Sequence, residues 1–358
     1  MQALAKNYIP TSPEVSDLSD AMAAECCQAC GGREIVAWLD GFLHHYHANG
    51  LDKTWKYCFN ECKTCGLGFI APMPDWSLLQ TFYQRDYHCY GEDNHVEHPL
   101  KYRIARYRFA GSSSKTPAAL AKRGFGIATE WLSGKTITYS LGIPLQLPLD
   151  AKIFEMGYGS GYWLKAMSNL GYKHLYGYDI DPNSFSRDAL KSLGVTLSAG
   201  DFLQNHYQPD HFDCIRLEHV FEHLLCPIEV LRKCRDMLKP NGNLVMTLPC
   251  KSSWSRSISS RHWGPLEPPV HLLHHTPDSV SNMFRRLGFV IKGLKPYSVT
   301  SQLVGTINNV LTSRGKRLPS SGATLLRLLS PAYRGFGRLT ARGDFMTVWA
   351  TKPLEVRK

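Results

Sequence analysis

Between Ser279 and Gly343 the sequence has no aspartate or glutamate. Nowhere does it approach the ~18 consecutive apolar residues of a membrane-spanning helix, which excludes an integral helical membrane protein. The N-terminal stretch MQALAKNYIPTSPEVSDLSD has Pro, Asp and Glu where a secretory signal has its apolar core. It also lacks the Arg-rich, acid-poor make-up of a transit peptide. The expectation is therefore a cytoplasmic protein, its 11 cysteines serving as free thiols or metal ligands rather than disulfides. The compositional signature of disorder is missing as well. With 43% hydrophobic and 20% charged residues over 358 positions, the chain is globular and long enough for about two domains. The acid-free stretch holds eleven Lys and Arg, equal to the whole net charge of +11, so the rest of the chain sums to zero. Such a block attracts phosphate, anionic lipid or nucleic acid, or else is a solvated basic face.

Six of the cysteines fall within residues 25–72. Cys27-x2-Cys30 and Cys62-x2-Cys65 form two knuckles, each followed by glycine, Gly31 and Gly66. A knuckle of this kind turns tightly so that backbone N–H groups face sulfur, and glycine next to it permits positive φ. Four thiolates from two knuckles suit a closed structural zinc site, and the glycine rule selects them over Cys26 and Cys58. Residues 1–24 read as a tail, 25–72 as the zinc-binding module and 73–150 as a helical linker or cap. From Ala151 short apolar runs alternate with amphipathic ones, the βαβ signature of a parallel sheet. The expected strands are KIFEMG, HLYGYDI, VTLSAG, FDCIRLE, NLVMTLP, FVIKGL and DFMTVWATK.

The first of these strands runs into Glu155-Met-Gly157-Tyr-Gly159-Ser-Gly161, which opens a helix. Such a turn means most inside a βαβ unit. Asp179 follows about 20 residues later, where a carboxylate holds the hydroxyls of a ribose. Asp201 and Phe202 end the third strand and supply a polar and an aromatic group able to flank an adenine. A dinucleotide turn is usually G-x-G-x-x-G, which leaves room for a pyrophosphate. Here Glu155 would repel a pyrophosphate but suits an amino-acid ammonium, which points to S-adenosylmethionine. With the pieces FEMGYGSG, YGYDIDP, GDF, FDCIRLEHVFEHL and MLKPNGNLVMTLP, the run from Ala151 to about Phe289 resembles the class I S-adenosylmethionine-dependent methyltransferases. The stretch PPVHLLHHTPDSVSNMFRRLGF resembles a subgroup acting on small molecules and sugars, several of whose members carry a zinc module ending in CxxCGL, as Cys62 to Leu67 does. The resemblance implies an α/β fold with a Rossmann-like seven-stranded sheet over 151–358, its last strand, DFMTVWATK, inserted antiparallel. It implies cofactor contacts from Glu155, Gly157, Gly159, Gly161, Asp179 and Asp201.

Methyl transfer needs an aligned acceptor and a group that takes its proton. The fourth strand ends at Glu218-His219 and is followed by Glu222-His223. His219 or His271 is expected as general base, because imidazole titrates near working pH, with Glu218 or Glu222 orienting it. Glu222 and His223 read equally as braces of the turn. His274 and His275 precede Thr276-Pro277, a helix start, and read as structural. Trp263 is a pocket wall or a plug, and Tyr87 and Tyr90 reach the pocket or pack. The insert 300–343 carries one apolar face of Leu303, Val304, Ile307, Val310 and Leu311, and a second beginning at Leu325, Leu326, Leu328 and Leu329. These faces either pack as core or meet a membrane surface. The expected acceptor is small and phosphate-bearing: a nucleotide-linked sugar, a glycan or a lipid-linked saccharide. O-methylation is expected over C-methylation, since the zinc-module sugar C-methyltransferases carry a further large C-terminal domain that has no counterpart here. RNA or protein methylation is the first alternative, although the Asn/Asp-Pro-Pro-aromatic signature of base methylation is absent after the fourth strand. A non-catalytic cofactor-binding partner protein is the second.

Overall fold

Residues 26–48, 51–82, 116–118, 121, 147–181 and 186–354 are described by the computed structural model. The chain divides into two compact units, one of residues 1–84, 219–231 and 247–348, the other of 85–218, 232–246 and 349–358. The tail 1–24 and most of the linker, with Tyr87 and Tyr90, lie outside the described residues.

In the first unit a long hairpin carries the cysteine knuckles. Strand β1 (Ile35–Ala48) pairs antiparallel with β2 (Leu51–Cys62), and β2 with β3 (Gly68–Ala71). Trp38, Phe42, Tyr57 and Phe59 stack or meet edge to face along this sheet. Such aromatic pairs are the unit of antiparallel sheet stability. The short helix α1 (Trp76–Gln80) starts where Asp75 accepts the Leu78 N–H at 2.8 Å.

The seven-stranded sheet begins with the second unit. Strand β4 (Lys152–Met156) is buried along four of its five residues, as a central parallel strand must be. It pairs in parallel with β5 (His174–Asp179) and β7 (Phe212–Glu218), and β5 with β6 (Thr196–Ala199). Helix α2 (Tyr162–Leu170) runs between left-handed Gly161 and Gly171, and α3 (Arg187–Ser192) precedes β6. Trp163, Leu164, Met167 and Leu170 of α2 bury their apolar stripe against Ile153, Leu175, Leu190 and Val245. Each fully buried side chain of this size contributes about 2 kcal/mol.

Helix α4 (Pro227–Met237) is followed by β8 (Leu238–Pro249). The helix ends at Met237. Pro240 cannot continue it, and Asn241 turns left-handed at φ +61° while donating to the Lys352 carbonyl. Helix α5 (Trp254–Ser259), the two-residue β9 (Leu273–His274), α6 (Pro277–Arg286) and β10 (Val290–Tyr297) follow. The predicted start of α6 is present: Thr276 caps it in a capping box with Pro277 at the first turn. Strand β9 pairs with β3, so the cysteine-bearing sheet has the order β1-β2-β3-β9. The insert forms α7 (Thr300–Thr312) and α8 (Ser320–Leu339) ahead of β11 (Phe345–Thr351). The large sheet has the order β10-β11-β8-β7-β4-β5-β6, with the last strand in sequence placed between two earlier ones, as expected.

The faces of the insert part company. Leu303, Val304, Ile307, Val310 and Leu311 of α7 are half-buried. On α8, Leu325, Leu328, Leu329, Phe336 and Leu339 are exposed, at 55, 73, 53, 50 and 88%. They recur at i, i+3, i+4, i+11 and i+14, which is one stripe of the helix.

Candidate active site and metal centre

The knuckles close as their glycines predict. Gly31 and Gly66 adopt φ +79° and +73°. Their N–H groups donate to the Cys27 and Cys62 carbonyls at 2.7 and 2.8 Å, and Gly32 donates to the Cys30 sulfur at 3.3 Å. A side chain at Gly66 would meet Thr276 Cγ2 at 2.9 Å. That approach matters because Thr276 Oγ1 donates to the Cys65 carbonyl at 2.5 Å. Cys27 and Cys65 stand 3.6 Å apart at sulfur, as do Cys30 and Cys62. A tetrahedral ion with metal–sulfur bonds of ~2.3 Å needs sulfur–sulfur edges of ~3.8 Å. The four donors therefore fit a metal ion, and zinc is one they could hold. Burial lifts the Cys27 thiol to about 11 and raises that of Cys65 further. Cys26 is exposed, and the Cys58 thiol is directed at Asn60 and the Ala71 carbonyl instead.

Around the glycine turn the second unit gathers three carboxylates and one guanidinium. Gly157, Gly159 and Gly161 have φ of +74°, +46° and +72°, values that side chains resist. The Gly159 N–H donates to Asp179 at 2.9 Å, and the other oxygen of Asp179 accepts the Asp181 N–H at 3.2 Å. The second carboxylate of the expected site thus holds the first element of it in shape. Ser186, which the sequence reading passed over, donates to the Gly159 carbonyl at 2.8 Å.

Glu155 is 3% exposed and sits directly opposite Arg216 in the β4–β7 register. The two form a buried ion pair, and Arg216 also pairs with Glu218 and covers the Trp163 ring at 4.5 Å. Burial pushes the Glu155 carboxyl up to about 7, Arg216 opposes the shift, and Asp179 adds to it. Glu155 Oε2 is buried with no hydrogen-bond partner among the described residues. An ammonium group would satisfy that oxygen, so the residues present fit the amino-acid end of the expected cofactor. Arg216 was not singled out from the sequence. The available signal was a lone cation inside an apolar strand, which has to be paired.

Asp201 accepts the Leu203 N–H at 2.8 Å and shapes the turn after β6. Phe202 is 4% exposed and packs among Phe154, Tyr178 and Tyr207. Its ring belongs to the core, which leaves Asp201 as the more accessible of the two expected base contacts. Lys233 holds this turn through the carbonyls of Phe202, Leu203 and Asn205, at 2.7, 2.9 and 2.5 Å.

The expected catalytic residues sort into separate pairs. Glu218 belongs to the Arg216 ion pair. His219 lies in the first unit and adopts φ +53°, unusual for a residue with a side chain. Its Nδ1 is 3.2 Å from Glu222 Oε1, and its ring meets Phe345 edge to face. Of the two candidate orienting carboxylates, Glu222 is the one that reaches His219. It is 1% exposed, and although burial opposes ionisation, the His219 hydrogen bond and charge hold its carboxyl down at about 2. His223 and His271 meet edge to face with centroids 4.6 Å apart. Each is fixed by a backbone carbonyl, that of Val270 for His223 and that of Pro265 for His271. His274 and His275 are buried at 1 and 0% exposure, in agreement with the structural reading. Trp263 is 2% exposed against His274, a plug rather than a wall.

The strand order, the glycine turn and the carboxylate at the end of β5 are those of a Rossmann-like α/β domain. Residues 134–292 match the family model described as methyltransferase domain. A tRNA U34 carboxymethyltransferase of Shewanella sediminis is 32% identical over 136 residues, covering 34% of this chain and 38% of that protein. A ubiquinone biosynthesis O-methyltransferase of Xanthomonas campestris is 28% identical over 102 residues, covering 27% and 42%. The chain thus spans about two-fifths of the length of the curated relatives it matches. The crystal structure of an S-adenosylmethionine-dependent methyltransferase from Mesorhizobium loti superposes with a TM-score of 0.42 at 17% identity, over 62% of this chain and 97% of that one. Among the described residues no helix is long and apolar enough to cross a membrane.

Proposed function

We propose that the protein transfers the methyl group of S-adenosylmethionine to an oxygen of a small anionic acceptor, such as a nucleotide-linked sugar, a glycan or a lipid-linked saccharide, in the cytoplasm. The observation that carries this reading is the Asp179 carboxylate bonded to the Gly159 N–H, beside a buried Glu155 oxygen that lacks a donor among the described residues. Asp179 would hold the ribose, Glu155 the ammonium, and Asp201 the base. When bound, the cofactor supplies a sulfonium-activated methyl group for in-line displacement. His219 is the proton acceptor: Glu222 accepts a hydrogen bond from its Nδ1–H, which leaves Nε2 as the basic nitrogen. As the acceptor oxygen took the methyl group, its hydroxyl proton would pass to His219. The four cysteines would hold a structural zinc, since four protein ligands leave no position open for chemistry.

The basic residues and the exposed stripe of α8 support peripheral contact with an anionic lipid surface, the second part of this reading. A lipid-linked acceptor would suit both features.

Incubating the protein with methyl-labelled S-adenosylmethionine and fractionated extract tests the reading. Label is expected in the small-molecule or lipid pool, and His219→Gln should lower its rate of appearance about 100-fold while cofactor binding persists. Label confined to nucleic acid or protein would replace the proposed acceptor. No transfer to any pool despite cofactor binding would favour a non-catalytic partner role.

A further inference from the structure

Glu222, His223 and His271 each bring one donor atom to within 4.8 Å of the other two. We infer that these three side chains form a second metal site, separate from the four cysteines, for a divalent transition cation of the kind that takes imidazole and carboxylate together, such as zinc, manganese or iron(II). The inference does not rest on the methyl-transfer reading.

The histidine tautomers are settled by backbone. His223 Nδ1 lies 2.9 Å from the Val270 carbonyl, and His271 Nδ1 lies 2.8 Å from the Pro265 carbonyl. A carbonyl only accepts, so Nδ1 carries the proton in both rings and Nε2 keeps its lone pair. Metal-ligating histidines are ordinarily oriented in this way, the far nitrogen donating to a carbonyl or carboxylate.

The carboxylate is the second observation. Glu222 is 1% exposed. His219 engages Oε1 at 3.2 Å, while Oε2 is buried with no hydrogen-bond partner among the described residues. An anionic oxygen removed from water without a donor is costly, and a cation between it and two imidazoles would remove that cost. A single hydrogen-bond donor would serve the oxygen alone. A cation accounts for the oxygen and for two rings oriented toward it through their Nδ1 hydrogen bonds.

The donors sit on a braced piece of backbone. Glu222 and His223 lie in the short turn 221–223, and the Leu272 N–H donates to the Glu222 carbonyl at 2.8 Å, tying the His271 segment to that turn. The His271 N–H donates to the Glu267 carbonyl at 3.1 Å. Glu267 Oε2 lies 3.4 Å from His271 Nε2, so this half-exposed carboxylate is placed to supply a fourth donor or to yield to water. A site preorganised by such bonds needs only side-chain adjustment to close on an ion. Once the ion is bound, His271 is unavailable as a base, and the role falls to His219.

Cobalt(II) added to the metal-free full-length chain is the test. The expected uptake is two equivalents. One should show the intense sulfur-to-cobalt absorption of a cysteine site, the other only weak ligand-field bands. Glu222→Gln and His271→Gln should each weaken the second uptake at least tenfold while leaving the sulfur-ligated equivalent and the metal-free melting temperature in place. Uptake of the cysteine-type equivalent alone, or a second uptake unchanged in both variants, would overturn the proposal. Should the variants fold poorly, the wild type still decides. Proton spectra of the cobalt-loaded chain should show two strongly shifted exchangeable imidazole N–H signals, and a loaded chain without them would equally refute the site.

Discussion

Replacing Asp179 by alanine should separate cofactor recognition from turn architecture. One oxygen of Asp179 accepts the Gly159 N–H at 2.9 Å and the other accepts the Asp181 N–H at 3.2 Å. In the proposed complex the same carboxylate also accepts from ribose hydroxyls. Hydrogen bonds to a charged acceptor contribute about 1.5–3 kcal/mol each. Losing two ribose contacts at the lower figure costs about 3 kcal/mol of binding, or roughly 150-fold in Kd. Asp179→Asn keeps one acceptor oxygen and should lose roughly tenfold. Calorimetric titration with S-adenosylmethionine and with 5′-methylthioadenosine measures both. The two ligands share the ribose, but only the first has the ammonium, so Asp179→Ala should weaken them equally. Glu155→Gln should weaken only the first. A melting curve of each variant reports what the lost turn bonds cost the fold itself. Asp179→Ala binding within about threefold of wild type would refute the ribose assignment, because no single charged acceptor contact is worth so little.

Other perturbations test the remaining parts. Cys62→Ser, or a strong chelator, should remove the bound zinc and destabilise the knuckle-bearing sheet by several kcal/mol, a fraction of the ~10 kcal/mol that structural zinc supplies; unchanged Trp38 and Trp55 fluorescence on zinc loss would contradict this. Burial pushes the His275 imidazole from 6.5 down to about 4, so its folded pKa lies below its unfolded value. The stability it carries as a neutral ring is full above about 6.5 and is lost as pH falls toward 4, about 3 kcal/mol in all. Urea unfolding at pH 7.5 and 4.0 should therefore show wild type losing that much more than His275→Phe, and equal losses would disprove the linkage. On the lipid side, the pair Leu328→Glu and Leu339→Glu should abolish sedimentation with vesicles of phosphatidylglycerol and phosphatidylcholine. Both side chains are exposed, at 73 and 88%, so the fold should persist, and undiminished binding would place the contact elsewhere.

Sequence pattern was most informative where a residue's neighbours in space are also its neighbours in the chain. The glycine turn and the βαβ rhythm are local, and all seven expected strands begin or end within two residues of those observed. The capped start at Thr276 was readable for the same reason. The early start of β8 is equally local: Lys239-Pro240-Asn241-Gly242 precedes the expected run NLVMTLP and carries the strand's first pairings. Strand β9 is two residues long and pairs with a segment some 200 positions earlier, so no periodicity could reveal it. The apolar residues of α8 show the limit of amphipathic reading. Leu325, Leu328 and Leu329 form a proper helical stripe, yet that stripe faces solvent, and the buried side of the helix includes Ser330 and Gly337. Small residues allow close approach: a Cβ on Gly337 would meet Ser298 Oγ at 2.4 Å. Periodicity finds an apolar face without saying what covers it.

Lone charges could have carried more of the site than they did. Glu155 stands inside KIFEMG and Arg216 inside FDCIRLE, both runs otherwise apolar enough to be central strands. An unpaired charge there is too costly to persist, so each demands a partner of opposite sign in an adjacent strand. Placing the two runs side by side, as the parallel order requires, is enough to match them, and the observed register does so residue for residue. The pairing alters the chemistry expected of Glu155. With one oxygen on Arg216 and the other without a donor, it can accept one ammonium and little else. The same logic separates Glu218 from Glu222. Two residues before Glu218 lies Arg216, which engages it, whereas Glu222 is faced by the imidazoles of His219, His223 and His271. Of the two candidate orienting carboxylates, that difference leaves Glu222 as the group able to hold His219 in one tautomer.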